Sequence, residues 1–437
     1  MKIAIVGFDT EGRSTYEYFS KHGDHEFTIC DQKAILDTPE GVPTQLGEKY
    51  LENLGRFDLI VRTAGLHPKK IIEENPGVED KITTHVNEFL KACPTSNTFG
   101  VTGTKGKGTT STLLTEMLKA DGKDAYLGGN IGLPPLTFID KLTPESWVVL
   151  ELSSFQLIDI QKSPHIAVCL MVVPEHLDWH KDVEEYFDAK AQLFKMQKPS
   201  DVAIFYGKNE NSKKIVSASP ARKIAYYLLP GAVVEDNQVK IDGKEVCKTS
   251  EVKLLGEHNL QNVCAALTAY WQVSQNIEAA RQVITTFTGL PHRLEFVREL
   301  NGVKYYNDSF GTVLESSIAA MQSIKGPKIM IVGGYDRYID VSHFAKFVNQ
   351  NSRDLQVESL ILIGLTADKL QNALEAESFK AFINLGEIKD MRMIVEQAAQ
   401  SAKSGQSVVL SPGFASFDMF KNFTDRGDQF RQAVNGL

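Results

Sequence analysis

One stretch narrows the possible folds of this chain more than any other. Phe99–Thr102 reads as a buried strand, Gly103-Thr104-Lys105-Gly106-Lys107-Gly108 is a glycine-rich loop, and Thr110–Ala120 has helical spacing. Strand, glycine loop and helix in that order belong to an α/β sheet that binds ligands at its strand ends. The glycines permit positive-φ turns that aim successive N–H groups at phosphate oxygens. Lys107 is placed to reach the β- and γ-phosphates of a nucleotide, and a threonine at the helix start to ligate Mg2+. The common pattern G-x-x-x-x-G-K-[ST] fails twice, with Val101 at its first glycine and Gly108 at its hydroxyl position. Thr109 is therefore the metal-ligand candidate. The competing reading is a glycine-rich turn with solvated lysines.

The same alternation of strand-length apolar runs and helical patterns continues along all 437 residues. Further strands are expected at 3–7, 27–30, 59–62, 147–150, 166–173, 328–332, 360–363 and 408–410, with helices over 13–22 and 259–273. Polar, Gly/Pro-marked breaks near 95 and near 290 predict three domains, 1–95, 96–289 and 290–437. A net charge of −8 disfavours a protein that grips a nucleic-acid backbone through clustered lysine and arginine. No apolar run approaches the roughly 20 residues needed to span a bilayer, and Met1–Gly7 is too short in its apolar part for a secretion signal. The five scattered cysteines read as reduced thiols. These features predict a cytoplasmic protein without nucleic-acid or membrane partners.

A second glycine loop, Gly7-Phe8-Asp9-Thr10-Glu11-Gly12, follows the first strand, and Asp31 ends the next one. This outlines a nucleotide-binding βαβ unit, but Asp9 stands where a dinucleotide loop needs glycine, and its carboxylate opposes a pyrophosphate. The alternative is a plain strand-to-helix turn. Glu151 ends a buried strand, where an uncompensated carboxylate is costly and a cation such as Mg2+ is the expected partner; a partly exposed glutamate is the other reading. His176 follows the strand 166–173. Lys190 lies in a helical stretch where the default is a snorkelling surface lysine.

Taken together, the residues resemble a family. The phosphate loop, Gly129-Asn130-Ile131-Gly132, Glu151-Leu152-Ser153-Ser154-Phe155-Gln156-Leu157 and Glu175-His176-Leu177-Asp178 are similar to motifs of the Mur ligases of peptidoglycan precursor synthesis. Gly256–Asn262, Gly289–Glu295 and Asn307-Asp308-Ser309 continue the match, and Ser411–Asp418 with Phe420–Phe423 and Arg426-Gly427 resemble the glutamate-adding branch. The resemblance implies three α/β domains: a Rossmann-like UDP-binding domain, a central P-loop ATPase with a mostly parallel sheet, and a Rossmann-like carboxy-terminal domain. It implies a monomeric, ATP-dependent, ADP-forming ligase that adds D-glutamate to UDP-N-acetylmuramoyl-L-alanine through an acyl phosphate.

By that resemblance Gly103 to Thr110 (Gly103, Thr104, Lys105, Gly106, Lys107, Gly108, Thr109, Thr110), Asn262, Arg293 and Asp308 contact ATP. Thr109, Glu151, His176 and Lys190, the last carbamylated by CO2, hold two Mg2+ ions; Lys107, Glu151, His176 and Lys190 are the catalytic set. Gly7, Thr10, Asp31, Gln32 and Gly65 hold the uridine diphosphate, with Asn130 and Ser153 near the muramoyl-alanine end. Arg337, Ser416 and Phe423 form the glutamate pocket. One departure stands out: Phe310 occupies a position where the glutamate-adding enzymes carry lysine. L-glutamate as the added amino acid is the alternative this opens. Gly108 resembles the folylpolyglutamate synthases, and an NAD-dependent oxidoreductase or a non-catalytic nucleotide-binding regulator would be readings from other classes.

Overall fold

In the computed structural model, which describes residues 1–33, 37–336 and 339–437, each run expected above as a strand contributes to a parallel sheet. The chain forms two compact units, Met1–Val252 with His258–Thr286, and Lys253–Glu257 with Phe287–Leu437. Among the described residues, no helix is long and apolar enough to cross a membrane.

The first unit holds two parallel sheets. One comprises β1 (Lys2–Val6), β2 (Glu26–Asp31), β3 (Thr44–Leu46), β4 (Leu59–Arg62) and β5 (Ile82–Thr84) in the order β3-β2-β1-β4-β5. The strand order reverses between β1 and β4, so the glycine turn after β1 and the loop after β4 open side by side. The other comprises β6 (Thr98–Thr102), β7 (Ala125–Gly129), β8 (Trp147–Glu151), β9 (Ile166–Cys169), β10 (Val202–Tyr206) and β11 (Arg222–Tyr226) in the order β11-β10-β9-β6-β8-β7. Here β6 is central, with Val101 opposite Glu151 and Thr102 opposite Cys169. The phosphate loop therefore emerges between Glu151 on one side and residues 170–176 on the other.

Pairing of β9 stops at Cys169, short of the expected Val173. Beyond it the backbone is claimed by the glycine loop: Thr104 N–H donates to Met171 O at 2.9 Å, and Val173 N–H to Thr104 Oγ1 at 3.0 Å. Two antiparallel elements went unassigned in the sequence. β12 (Val233–Glu235), β13 (Gln238–Ile241) and β14 (Lys244–Lys248) form a three-stranded meander. Its turns, Asp236-Asn237 and Asp242-Gly243, have positive φ throughout, the mark of tight hairpins.

The second unit carries one sheet, β15 (Glu295–Leu300), β16 (Val303–Asn307), β17 (Lys328–Gly333), β18 (Val357–Ile363), β19 (Phe382–Gly386) and β20 (Ser407–Leu410), ordered β15-β16-β20-β17-β18-β19. Only β15 is antiparallel, joined to β16 through the Asn301-Gly302 turn. Apolar cores cover both faces, one around Phe344 and Leu362, the other around Ile394 and Phe430.

Within the first unit, buried polar side chains tie the two sheets together. Arg62, at the end of β4, is 1% exposed. Its guanidinium grips the Asp159 carboxylate through two bonds of 2.6 and 2.8 Å and donates to Phe155 O, while also donating to Thr63 O and Leu66 O of its own loop. His85 Nε2 accepts from Leu136 N–H at 3.2 Å, which leaves Nδ1 to donate to Ser14 and Thr15 hydroxyls. Burial pushes the His85 pKa down to about 3, so the ring works as a neutral staple. The helix His85–Ala92 also sends Val86, Phe89 and Leu90 into the core of the second sheet. Replacing Arg62 by leucine strands a partly buried carboxylate and three loop carbonyls. The expected loss is about 3 kcal/mol, read as a lowered first unfolding transition in urea; an unchanged transition would show that the sheets do not lean on this pair.

Candidate active site

The phosphate loop is shaped by two glycines that no other residue could replace. Gly103 has φ +153°, and a Cβ there would stand 2.6 Å from Leu170 Cβ; Gly106 has φ +86°, and a Cβ would stand 2.2 Å from Asn262 Oδ1. With Gly106 as a left-handed cap, the helix Lys107–Ala120 begins three residues earlier than its apolar spacing predicts. Its first N–H groups thus face the loop, the arrangement that receives phosphate. Asn262 packs on this turn, and Thr110 Oγ1 reaches its Oδ1 at 3.5 Å. Thr104 is buried, bonded to the Tyr186 hydroxyl at 2.7 Å, while Gly108 and Thr110 are buried and Thr109 half-buried. Lys105 is exposed and paired with Glu175.

Lys107 folds back over its own loop, donating to Gly103 O at 3.2 Å and Thr104 O at 3.0 Å. Lys190 donates to the same Gly103 O at 3.0 Å. The default reading of Lys190 as a surface lysine is wrong: it is 2% exposed. The helix Val183–Lys195 turns Tyr186, Ala189 and Leu193 into the core, and Lys190 follows them to the glycine loop, 4.6 Å from the Tyr186 ring centre. Burial, reinforced by the Lys107 charge, pushes its pKa down to about 7. A substantial fraction of neutral amine follows at neutral pH.

Glu151 is buried, and Asn130 Nδ2 donates to its Oε1 at 2.8 Å. His176 is held at φ +59° on an exposed turn, its ring 4.9 Å from that of Phe155. Burial keeps its pKa below the ordinary value, with Lys107 and Lys190 acting in the same direction and Glu175 against. Among the described residues no three His, Cys, Asp or Glu side chains converge to hold a metal. That donor set still fits Mg2+, which is bound through one or two carboxylates, waters and substrate phosphates rather than by an all-protein cage. Glu151, buried and bonded by the Asn130 amide, offers the carboxylate oxygen such an ion would take.

At the first sheet, Gly7 has φ +94° and would clash with Thr63 if it carried a Cβ. Asp31 closes this turn, its carboxylate accepting from Phe8 N–H and Lys33 N–H, both at 2.9 Å. Thr10 and Gln32 are exposed beside it. Asp9 caps the helix Thr10–Lys21 without a side-chain bond. Glu11, which sequence reading passed over, accepts from Ala64 N–H and from Gln156 Nε2. Gln156 in turn forms a capping box with Ser153, so the two ends of the expected UDP-substrate site are wired together. Gly65 O accepts from the Trp179 indole at 2.8 Å. Arg62, Asp159 and Trp179 were also missed; an arginine closing the apolar run Leu59-Ile60-Val61 was the available signal.

In the second unit, Asp308 is buried, accepting from Ser411 Oγ at 2.7 Å and Leu294 N–H at 3.1 Å. Arg293 lies 3.7 Å over the Phe310 ring, and Phe310 meets Phe423 edge-on at 5.1 Å. Phe310 is thus a platform for the arginine in place of a second cation. Ser416 is buried in the loop that caps the sheet, and Arg337 lies outside the described residues. Fully buried Arg426 joins this loop to the Asp308 turn through Phe414 O, Ser309 O and Ser309 Oγ.

Burial raises the Asp308 pKa to about 7. An unfolded chain releases that proton near pH 4, so the folded state binds more protons across pH 4–7 and stability falls as pH rises through that window. Asp308→Asn can keep both bonds without the charge. Its thermal midpoint should therefore fall less than the parent's between pH 5 and pH 8; parallel profiles would refute this account.

Comparison with known proteins adds independent findings. Residues 101–270 match the family model "Mur ligase middle domain", and residues 292–414 match "Mur ligase, glutamate ligase domain". The chain is 37% identical over its whole length to a UDP-N-acetylmuramoylalanine–D-glutamate ligase of Clostridium kluyveri, covering 97% of that protein. A Clostridium novyi enzyme of the same name is 35% identical, with 100% of this chain and 97% of that protein covered. Among solved structures, UDP-N-acetylmuramate–alanine ligase of Thermotoga maritima superposes with TM-score 0.60 at 16% identity, covering 100% of this chain and 99% of that one. A Thermotoga maritima MurF ligase in complex with ADP gives 0.60 at 18%, covering 99% and 94%. At such identities the structural matches speak to fold alone.

Proposed function

The chain belongs to the Mur ligase family, and on that premise we propose that it joins D-glutamate to UDP-N-acetylmuramoyl-L-alanine in peptidoglycan precursor synthesis, converting ATP to ADP and phosphate. The observation that carries this reading is the similarity over the full chain to enzymes named for D-glutamate addition. The proposed division of labour follows domains 1–95, 96–289 and 290–437: UDP binding, ATP-dependent activation, and glutamate binding. The enzyme acts as a cytoplasmic monomer on its two nucleotides and glutamate, without nucleic acid or membrane.

The reaction runs in two steps. The alanine carboxylate attacks the γ-phosphorus of ATP, and ADP departs to leave an acyl phosphate. The glutamate amine then attacks the acyl carbon, phosphate leaves, and an amide remains. Bringing a carboxylate to a triphosphate is opposed by charge, which Lys107 and the loop N–H groups of residues 103–110 offset. Mg2+, when bound, supplies further charge neutralisation on the phosphates. Thr109, Glu151 and His176 are the proposed ligands, two ions being the proposed number. Lys190, in its neutral amine form, adds through its nitrogen to CO2; an N–C bond forms, a proton leaves to solvent, and the carbamate becomes an anionic ligand. Asn262, Arg293 and Asp308 are proposed nucleotide contacts.

The uridine diphosphate is assigned to Gly7, Thr10, Asp31, Gln32 and Gly65, and its acyl end to Asn130 and Ser153. Glutamate is assigned to Arg337, Ser416 and Phe423. Phe310, 41% exposed and stacked under Arg293, favours a second reading in which L-glutamate is accepted, because the usual lysine charge is absent there. Supplying D- or L-glutamate separately with UDP-N-acetylmuramoyl-L-alanine and ATP decides between them by ADP release and product mass. Rapid turnover with D-glutamate is expected; turnover with neither would sink the proposal. Lys190→Ala should lower kcat by at least about a hundredfold, the scale of losing one preorganised charge-stabilising group. Near-parental activity would remove Lys190 from the mechanism.

A further inference from the structure

Trp179 occupies a position that the reaction scheme does not use. Its indole N–H donates to Gly65 O in the loop after β4, while its own backbone N–H donates to His176 O at 3.1 Å. One residue thus holds the loop assigned to uridine diphosphate with its side chain and the turn bearing His176 with its main chain. A column of rings repeats the connection. His67, two residues past Gly65, packs on Trp179 with centroids 4.4 Å apart; Trp179 packs on Phe155 at 4.4 Å; Phe155 meets the His176 ring at 4.9 Å.

The surroundings make this connection stiff on one side and yielding on the other. The Gly65 loop is anchored at its base by the fully buried Arg62, which takes Thr63 O, Ala64 O and Leu66 O but leaves Gly65 O to Trp179. Glu185 braces the far end, its Oε2 accepting from Lys181 N–H at 2.8 Å and lying 3.4 Å from both His67 Nε2 and His180 Nδ1. His176, by contrast, sits in left-handed backbone that a residue with a side chain adopts only when its neighbours hold it there. Its carbonyl is held by the Trp179 and His180 N–H groups. A shift at Gly65 therefore reaches His176 through an indole and two backbone bonds.

We propose that Trp179 is a positioning residue that couples uridine-diphosphate occupancy of the Gly65 loop to the placement of His176, and through it to nucleoside-triphosphate binding at the phosphate loop. The inference rests on the substrate assignment above. Nothing in it requires Trp179 to touch either nucleotide.

Coupling between two ligands is a ratio of affinities, and a merely structural residue lowers both affinities without changing that ratio. The test measures binding of a non-hydrolysable ATP analogue with Mg2+ by calorimetry, without and with saturating UDP, on the full chain and on Trp179→Phe. In the parent, UDP should change the analogue affinity at least about fivefold. In Trp179→Phe, which keeps a ring but loses the N–H, the ratio should fall toward one while each ligand still binds. Phe155→Leu, which cuts the ring column and spares the Gly65 bond, should reduce the ratio partway. Trp147→Phe/Trp271→Phe leaves Trp179 as the sole indole, and its emission should shift when UDP is added. UDP binding without any coupling in the parent, or an unchanged ratio in Trp179→Phe, would overturn the inference and leave the substrate assignment standing. No UDP binding by the parent would overturn both.

Discussion

Two lysine amines share one oxygen beside the glycine loop. Gly103 O accepts from Lys107 and from Lys190, and the rest of the site is arranged around that crowding. The carbonyl can point there only because residue 103 has a backbone conformation open to glycine. Burial first, and the Lys107 charge second, loosen the proton on Lys190, the more buried of the two amines. The proposed division of labour gives Lys107 to phosphate and Lys190 to CO2. The Tyr186 hydroxyl on Thr104 and the peeled-away strand end at 170–173 hold the loop that carries this carbonyl.

The substrate assigned to this enzyme is long, with a uridine diphosphate at one end and a reactive carboxylate at the other. A long substrate reacts efficiently only if both ends are held at a fixed separation. The first unit meets that need with polar contacts rather than with a larger apolar interface. Arg62 with Asp159, Glu11 with Gln156, and Trp179 with Gly65 each cross from one sheet to the other. Directional bonds specify distance and angle more narrowly than apolar packing does, at some cost in desolvation.

How much of this was readable beforehand depended on whether a feature was local. The parallel strands, the glycine loops and the His-Leu-Asp segment declare themselves through neighbours in sequence. The hairpins also left local marks, Asp242-Gly243 and Asn301-Gly302, but their half-exposed, charge-bearing strands lack the apolar runs that reveal the parallel ones. Burial of a charged side chain, in contrast, is settled by a distant partner. Arg62 finds Asp159 97 residues away, and Lys190 finds Gly103 87 residues away. Tyr186, Phe187, Leu193 and Phe194, one turn away, mark the inner face on which Lys190 lies, but nothing local names Gly103 as its partner. Glu151 shows the local case: its burial follows from its place at the end of the apolar run 148–150, while the Asn130 that bonds it comes from another strand end.

The helix His85–Ala92 has a consequence for inheritance. It follows the last strand of the first sheet, yet Val86, Phe89 and Leu90 are part of the second sheet's core, and His85 closes bonds to both. The segment to which uridine diphosphate is assigned by the proposal is thus not a cassette. Exchanging it between relatives would bring in a foreign helix against a core that evolved with another, together with an arginine whose counter-charge stayed behind in the recipient. Changes in nucleotide preference are more accessible through substitutions at the exposed rim, Thr10 and Gln32, than through recombination at residue 95.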